Sequence, residues 1–465
     1  MKITFATDAP ALGTQIRLIS GPISRFVEKG DLQELHIGYG NKKPLSQRKI
    51  TILLRKIVTT AKQNKLGEIL LDWSEIRKLA DKNIPDKKLA EVAAIAFHMA
   101  DFEFNVYKKE PEGGFDAVEE VTIQNVSNKL VRDGFERGEV IAMEVNSCRA
   151  LSNTPGGDMT PRVLAEAAQA ITKGTMVRVD ILGKKEIEDI GMGGVIGIAK
   201  GSDEEPKFIV MEYRGAAASK KPVVLVGKGV TFDTGGLNIK PGDHMYEMHM
   251  DMSGGAAVMH AVAIAAKLRL KVNVVGLIPA VENSPSGSAV RPGDILRSLS
   301  GRTIEILNTD AEGRVILADA ITYAKRYEPK IVVDVATLTG AALIALGTEA
   351  NAFMTNKDSL IPRMQELGEE SGDYMWPFPA WEEYEEMTKG TFGDIPNISA
   401  AGNSRYGGVI AGGMFLREFA KDLECPWVHI DMAPRMTSSP NEFLAKGAAG
   451  APVRLLLGII EEYGR

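Results

Sequence analysis

The chain reads as an α/β protein: a small N-terminal α/β domain, then a large C-terminal α/β domain whose central, mostly parallel sheet is flanked by helices. Three observations predict this. With 465 residues the sequence is too long for one ordinary core, so two domains are expected, one of them large. From Pro161 onward, near-continuous apolar runs of strand length alternate with helical stretches, as in sheets covered on both faces. Hydrophobic residues make up 44% and charged residues 25%, a balance that excludes disordered and fibrous chains.

Residues 1–125 form the small domain. There the β-branched runs KITFAT, KITILL and GEILLDW alternate with helical stretches such as DKKLAEVAAIAFHMA. Residues 126–160 read as a linker of helix and turn, closed by NTPGGDMTP, whose prolines and glycines stop any helix. Residues 161–465 form the large domain. Its strands are TMVRVDIL, KPVVLVGKGV, VNVVGLIPAV, TIEILN, KIVVDVATL and WVHIDMA, and SGGAAVMHAVAIAAKL, AEGRVILADAITYAKRY and AGGMFLREFAKDL are helices between them. In such sheets ligands collect at the carboxyl edge of the strands. The loops GKGVTFDTGG and NTDAEGR both directly follow a strand.

The opening MKITFATDAPALG lacks a basic segment followed by an apolar run, and nowhere do about 18 apolar residues follow one another. Neither a signal peptide nor a membrane span is expected, and a cytoplasmic location is. Cys148 and Cys425 stand far apart without CxxC spacing, which argues against a disulfide framework and a thiolate zinc site. The net charge is −6, yet residues 1–110 hold 19 Lys+Arg against 13 Asp+Glu, so this front carries +6 and the remainder −12. Lys42, Lys43, Arg48 and Lys49 could touch nucleic acid, but acids dilute them and they read as solvated surface.

The chemistry concentrates in a few loops. In VVLVGKGVTFDTGGLNIK, glycines bracket Lys228, Asp233 and Lys240 and let the backbone turn sharply. A phosphate loop is excluded because Gly229, not a hydroxyl residue, follows Lys228. GMGGVIG at 191–197 fails as a dinucleotide loop because Ile196 stands where the third glycine belongs. Asp251 precedes a helix, and Asp310 and Glu312 sit one residue apart in NTDAEGR. Singly, each acid could be a helix-terminal residue. Together with Asp233 they make four negative charges near strand ends, which repel in a cleft unless cations are present. Two divalent metals would balance them, and hard carboxylate oxygens suit Zn²⁺, Mn²⁺, Mg²⁺ or Co²⁺. The six histidines form no HExxH, and His244 and His249 read as non-ligands.

These stretches resemble the leucyl, or cytosol, aminopeptidases: NTDAEGR at 308–314, GKGVTFDTGGLNIK at 227–240, DMSGGAAV at 251–258 and ATLTGA at 336–341. The likeness runs from about Thr154 to the C-terminus and makes 161–465 a catalytic metallopeptidase domain. By that resemblance Asp233 and Glu312 bridge two metal ions, Asp310 completes one, and Lys228 with Asp251 holds the other. Lys240 polarises the substrate carbonyl, and Arg314 holds a bicarbonate that works as general base. Met248, Thr337 and Gly340, with backbone contacts from Leu338, line the side-chain pocket. Residues 393–419 pack beneath the site, their glycines allowing close backbone approach. The resemblance implies hydrolysis of N-terminal leucine and other apolar residues from peptides by a homohexamer built as a dimer of trimers. A DNA-binding accessory or regulatory protein on the same scaffold is the alternative. Pro434 and Arg435 replace the glycine and small residue usual in the family, so the loop bordering the pocket differs.

Overall fold

The computed structural model describes residues 1–6, 13–29, 32–399 and 406–464. The chain divides into two compact units, Met1–Asn146 with Ser438–Gly447, and Ser147–Thr437 with Ala448–Arg465. The division falls inside one helix, within the stretch that reads as a linker in the sequence.

The first unit contains β1 (Lys2–Ala6), β2 (Thr14–Ile19), β3 (Arg25–Lys29), β4 (Leu32–Gly38), α1 (Gln47–Gln63), β5 (Glu68–Asp72), α2 (Trp73–Leu79), α3 (Asp86–Asp101), β6 (Glu120–Gln124) and most of α4 (Lys129–Asn153). Its sheet runs β1-β6-β5-β2-β4-β3, parallel except for the β3–β4 pair. KITILL, expected among the β-branched runs, is instead part of α1. The reason is periodicity. Ile50, Leu53, Leu54, Ile57, Val58 and Ala61 are all buried, at helical spacing, and each large side chain contributes about 1.5–3 kcal/mol by leaving water. That burial outweighs the weak helix penalty of β-branched residues. Lys42, Lys43, Arg48 and Lys49 are all solvent-exposed.

The second unit begins with α5 (Pro161–Ile171), β7 (Val177–Leu182), α6 (Lys184–Ile190), α7 (Gly193–Ala199), β8 (Lys207–Arg214), β9 (Val223–Gly227), β10 (Gly229–Asp233), α8 (Ser253–Lys267) and β11 (Asn273–Asn283). It continues with β12 (Ile295–Arg297), β13 (Thr303–Glu305), α9 (Glu312–Ala324), β14 (Ile331–Ala336), α10 (Gly340–Leu346) and β15 (Asn351–Thr355). Last come α11 (Ile361–Ser371), β16 (Met375–Pro377), β17 (Ile395–Pro396), α12 (Gly408–Ala420), β18 (Trp427–Asp431) and α13 (Val453–Tyr463). The main sheet runs β16-β15-β18-β14-β9-β11-β8-β7, with β10 also on β11. Its centre, β18-β14-β9-β11, is parallel, and antiparallel pairs flank it at β15–β18, β11–β8 and β8–β7. Every residue of β9 and β14 is buried, which is why both read as continuous apolar runs.

TIEILN departs from expectation. Only Thr303–Glu305 forms a strand, and it belongs to a separate three-stranded sheet, β12-β13-β17. The ladder ends there because the next amides go elsewhere: Ile306 N–H donates to Asp294 O, and those of Leu307 and Asn308 to the Asn397 side chain. Among the described residues no helix is long and apolar enough to cross a membrane.

Candidate metal centre

β9 lies between β14 and β11, and at its carboxyl end the chain bends through Lys228 so that β10 continues along β11. The bend is fixed by the backbone: Lys228 N–H donates to Val335 O at 2.9 Å, and Lys228 O accepts from Gly255 N–H at 2.7 Å. Asp233 ends β10 opposite Asn283. Gly235 then turns the chain at φ +86°, where a Cβ would stand 2.4 Å from Asn238 O and 2.9 Å from Asp310 Oδ1, so only glycine fits. Asp251 sits in the turn before α8, and Glu312 opens α9, where the helix dipole favours a carboxylate. A Cβ at Gly313 would lie 2.5 Å from Lys228 Cε; the glycine of NTDAEGR leaves room for that lysine stem.

Six charged side chains meet here. Lys228 Nζ lies 2.8 Å from Asp251 Oδ2 and 2.8 Å from Glu312 Oε1. Lys240 Nζ lies 2.7 Å from Asp233 Oδ2 and 2.6 Å from Asp310 Oδ1. Oxygens of Asp233, Asp310 and Glu312 all fall within 4.8 Å of one another. Lys228, Asp233, Asp251 and Glu312 are buried, so water cannot screen them. Two ammonium groups neutralise only half of four carboxylates. Moreover, Asp251 Oδ2, Asp310 Oδ1 and Glu312 Oε1 are buried and meet no donor besides those lysines. Hard oxygen donors, excess negative charge and unsatisfied buried lone pairs together fit divalent cations.

The electrostatics follow from the crowding. Burial pushes up the Asp251 carboxyl to about 8, with Lys228 opposing and the Glu312 and Asp233 charges adding. Burial likewise raises Asp233, where Glu312 adds, and Asp310, where Lys240 opposes. Burial alone would lower both lysines. The carboxylates outweigh it, Asp251 and Glu312 for Lys228 and Asp233 and Glu312 for Lys240, so both stay firmly cationic.

Arg314, one turn into α9, is buried, and its Nε finds no hydrogen-bond partner. Burial pulls its pKa down to about 10 against the pull of Glu312 and Asp431, leaving it charged at neutral pH. A buried, unsatisfied guanidinium is a place for an anion. Part of the 393–419 stretch packs beside it: a Cβ at Gly412 would stand 3.1 Å from Leu338 Cδ2 and 3.5 Å from Arg314 Nη2. Residues 400–405 of that stretch lie outside the described residues.

Of the pocket candidates, Met248 is half-buried and Gly340 exposed. Thr337 also reaches the charged cluster. Its hydroxyl donates to Asp251 Oδ1 at 2.6 Å and its carbonyl accepts from Lys228 Nζ at 3.1 Å. The Leu338 N–H is engaged by Asp431 Oδ1 at 3.1 Å, while its side chain packs on the core. Arg435 is buried and donates to Thr348 O at 2.6 Å.

Several supporting residues have no sequence signal pointing to them. Asn283 Nδ2 donates to Asp233 Oδ1 (2.8 Å) and to Thr309 O (3.1 Å). Asn238 N–H donates to Thr309 Oγ1, and Thr309 N–H to Asn238 Oδ1, both at 2.8 Å. These contacts tie the two carboxylate-bearing loops together across separations of 26 and 71 residues.

A family model described as "Cytosol aminopeptidase family, catalytic domain" matches residues 146–457. A "Probable cytosol aminopeptidase" of Methylobacillus flagellatus is 40% identical over 92% of this chain and 84% of its own length. A protein of the same description from Saccharophagus degradans is 38% identical over 97% of this chain and 89% of its own. Among solved structures, "Bottromycin maturation enzyme BotP in complex with Mn" is similar with a TM-score of 0.87 and 28% identity, covering 98% of this chain and 100% of that one.

Proposed function

The chain belongs to the cytosol aminopeptidase family of metal-dependent aminopeptidases, and on that premise we propose that it removes N-terminal leucine and other apolar residues from peptides at a two-metal centre. One observation carries this reading: four carboxylates from loops far apart in sequence converge in a largely buried site, with two lysine ammoniums against their four charges. Asp233 and Glu312 would bridge the ions, Asp310 would complete one, and Asp251 with Lys228 would hold the other. Zn²⁺ or Mn²⁺ is the expected metal, with Mg²⁺ and Co²⁺ suited to the same oxygens; the manganese named for the similar solved structure supports this choice. Such a pair supplies Lewis acidity and a nucleophile generated from water at neutral pH.

The side chains divide the remaining work. Lys228 can ligate only after losing its proton, which adjacent dications would drive off. Lys240 keeps its proton, so it can donate to the oxygen that becomes negative as the substrate carbonyl is attacked. Arg314 would hold bicarbonate, which serves as general base. Met248 and Gly340, with the Leu338 backbone, would form the side-chain pocket; Thr337 would act there while fixing Asp251. A homohexamer of two trimers and a cytoplasmic location belong to the same reading, and light scattering with cell fractionation tests both.

The direct test of function is leucine release from leucyl amide after chelation and again after adding Mn²⁺ or Zn²⁺. Activity should vanish and return; hydrolysis that survives thorough chelation would sink the proposal.

A further inference from the structure

Residues 306–311 carry Asp310 and lead into Glu312, yet they belong to no strand or helix: β13 stops at Glu305 and α9 starts at Glu312. Their buried backbone groups therefore need partners from elsewhere. Asn397, just past β17, provides four of them. It is fully buried, and its own N–H donates to Glu305 O at 2.8 Å, which fixes it beside the end of β13. From there its side-chain oxygen accepts from Leu307 N–H (2.8 Å) and Asn308 N–H (3.2 Å). Its side-chain nitrogen donates to Asn308 O (2.6 Å) and Ala311 O (3.3 Å). An asparagine amide has two donor hydrogens and two acceptor lone pairs, and all four are used. The reverse amide orientation would set donors against donors and acceptors against acceptors.

We propose that Asn397 is a positioning residue of the metal centre, standing in for a neighbouring strand and holding residues 307–311 so that Asp310 and Glu312 converge with Asp233. It acts through the loop, since its hydrogen bonds go to backbone groups and to none of the carboxylates. Asn238 and Asn283 grip the same loop through Thr309, so Asn397 is one of several ties on it. This inference rests on the two-metal reading.

The test titrates full-length, metal-stripped wild type, Asn397→Ala and Asn397→Asp with Mn²⁺ alone by calorimetry, after recording each thermal midpoint. Both variants should bind Mn²⁺ about 10- to 100-fold more weakly, the usual effect of removing a residue that orients ligands. With leucyl amide, kcat should fall while KM changes little. Asn397→Asp keeps the size but replaces donors with an acceptor, so an equal loss assigns the effect to hydrogen bonding rather than to space; if Asn397→Ala is not recovered folded, Asn397→Asp carries the test alone. Wild-type Mn²⁺ affinity in a folded variant, even with a lowered midpoint, overturns the proposal. So does failure of both variants to fold, which would make Asn397 a core residue only. Failure of the wild type to bind Mn²⁺ is a separate outcome that refutes the metal reading itself.

Discussion

Asp319, Asp334 and Asp373 are as deeply buried as Glu312, 0% exposed against 1%, yet their surroundings are of another kind. Asp319 accepts from the amides of Val195 (3.0 Å) and Leu299 (2.7 Å). Asp334 is engaged by Trp427 Nε1 at 2.7 Å and His429 Nδ1 at 2.5 Å. Asp373 is met by the Arg454 guanidinium and by the amides of Arg454 and Leu455. Every oxygen of these acids has a donor. In the candidate metal centre, Asp251 Oδ2, Asp310 Oδ1 and Glu312 Oε1 meet no donor but two lysine ammonium groups, at 2.6–2.8 Å. Two ammoniums offset only two of the four carboxylates, and a buried charge left uncompensated is costly, so the cluster suits a partner of higher charge. The first group is satisfied by its neighbours; the second keeps negative charge left over.

The sharpest break of this contrast is Glu312→Ala. Its leucyl amide hydrolysis should fall by at least about three orders of magnitude, the several kcal/mol a metal centre gives a transition state. Circular dichroism should remain that of the wild type, because Lys228 keeps Asp251 and the change removes one of several mutually repelling charges. Unimpaired turnover would refute the role given to Glu312. Asp373→Ala should do the opposite: lower the unfolding free energy in urea by about 3–5 kcal/mol by stranding Arg454, while leaving Mn²⁺ affinity intact. Saturating metal should raise wild-type stability by about 2.7 kcal/mol at a hundred times Kd, and by visibly less in Glu312→Ala, which thermal melts with and without Mn²⁺ would show.

The smallest effect concerns His429. Burial pulls its pKa down, but the Asp334 carboxylate, helped by Asp431 and opposed by Arg314, raises it overall. A raised folded value means that its stabilisation is full below the ordinary value of about 6.5 and is lost as pH rises through the folded one. Urea midpoints should therefore decline as pH rises above about 6.5, and His429→Gln should flatten that decline. An unchanged slope in the variant would remove His429 from the explanation.

The large domain was legible because its central strands are buried on both faces and its acids stand in loops directly after strands. KITILL misled because composition and period disagree there, and the period of Ile50, Leu53, Leu54 and Ile57 decides. TIEILN looks like a core strand, but Ile304 and Glu305 pair with a strand of two residues, and the amides after them go to Asp294 O and the Asn397 side chain. The convergence of Asp233, Asp310 and Glu312 was suggested by charge and by motif. Asn238, Asn283 and Asn397 were not, because the partners of their side chains lie 26 to 90 residues away and an asparagine in a loop has no periodicity to mark it. Thr337 reads as a pocket residue by resemblance; that its hydroxyl also sits on Asp251 has no mark in the sequence.

The most direct measurement is elemental analysis of purified, active protein after gel filtration. Two divalent ions per chain, retained by the wild type and reduced in Glu312→Ala, is the predicted result. Full activity with fewer than two ions per chain would contradict it.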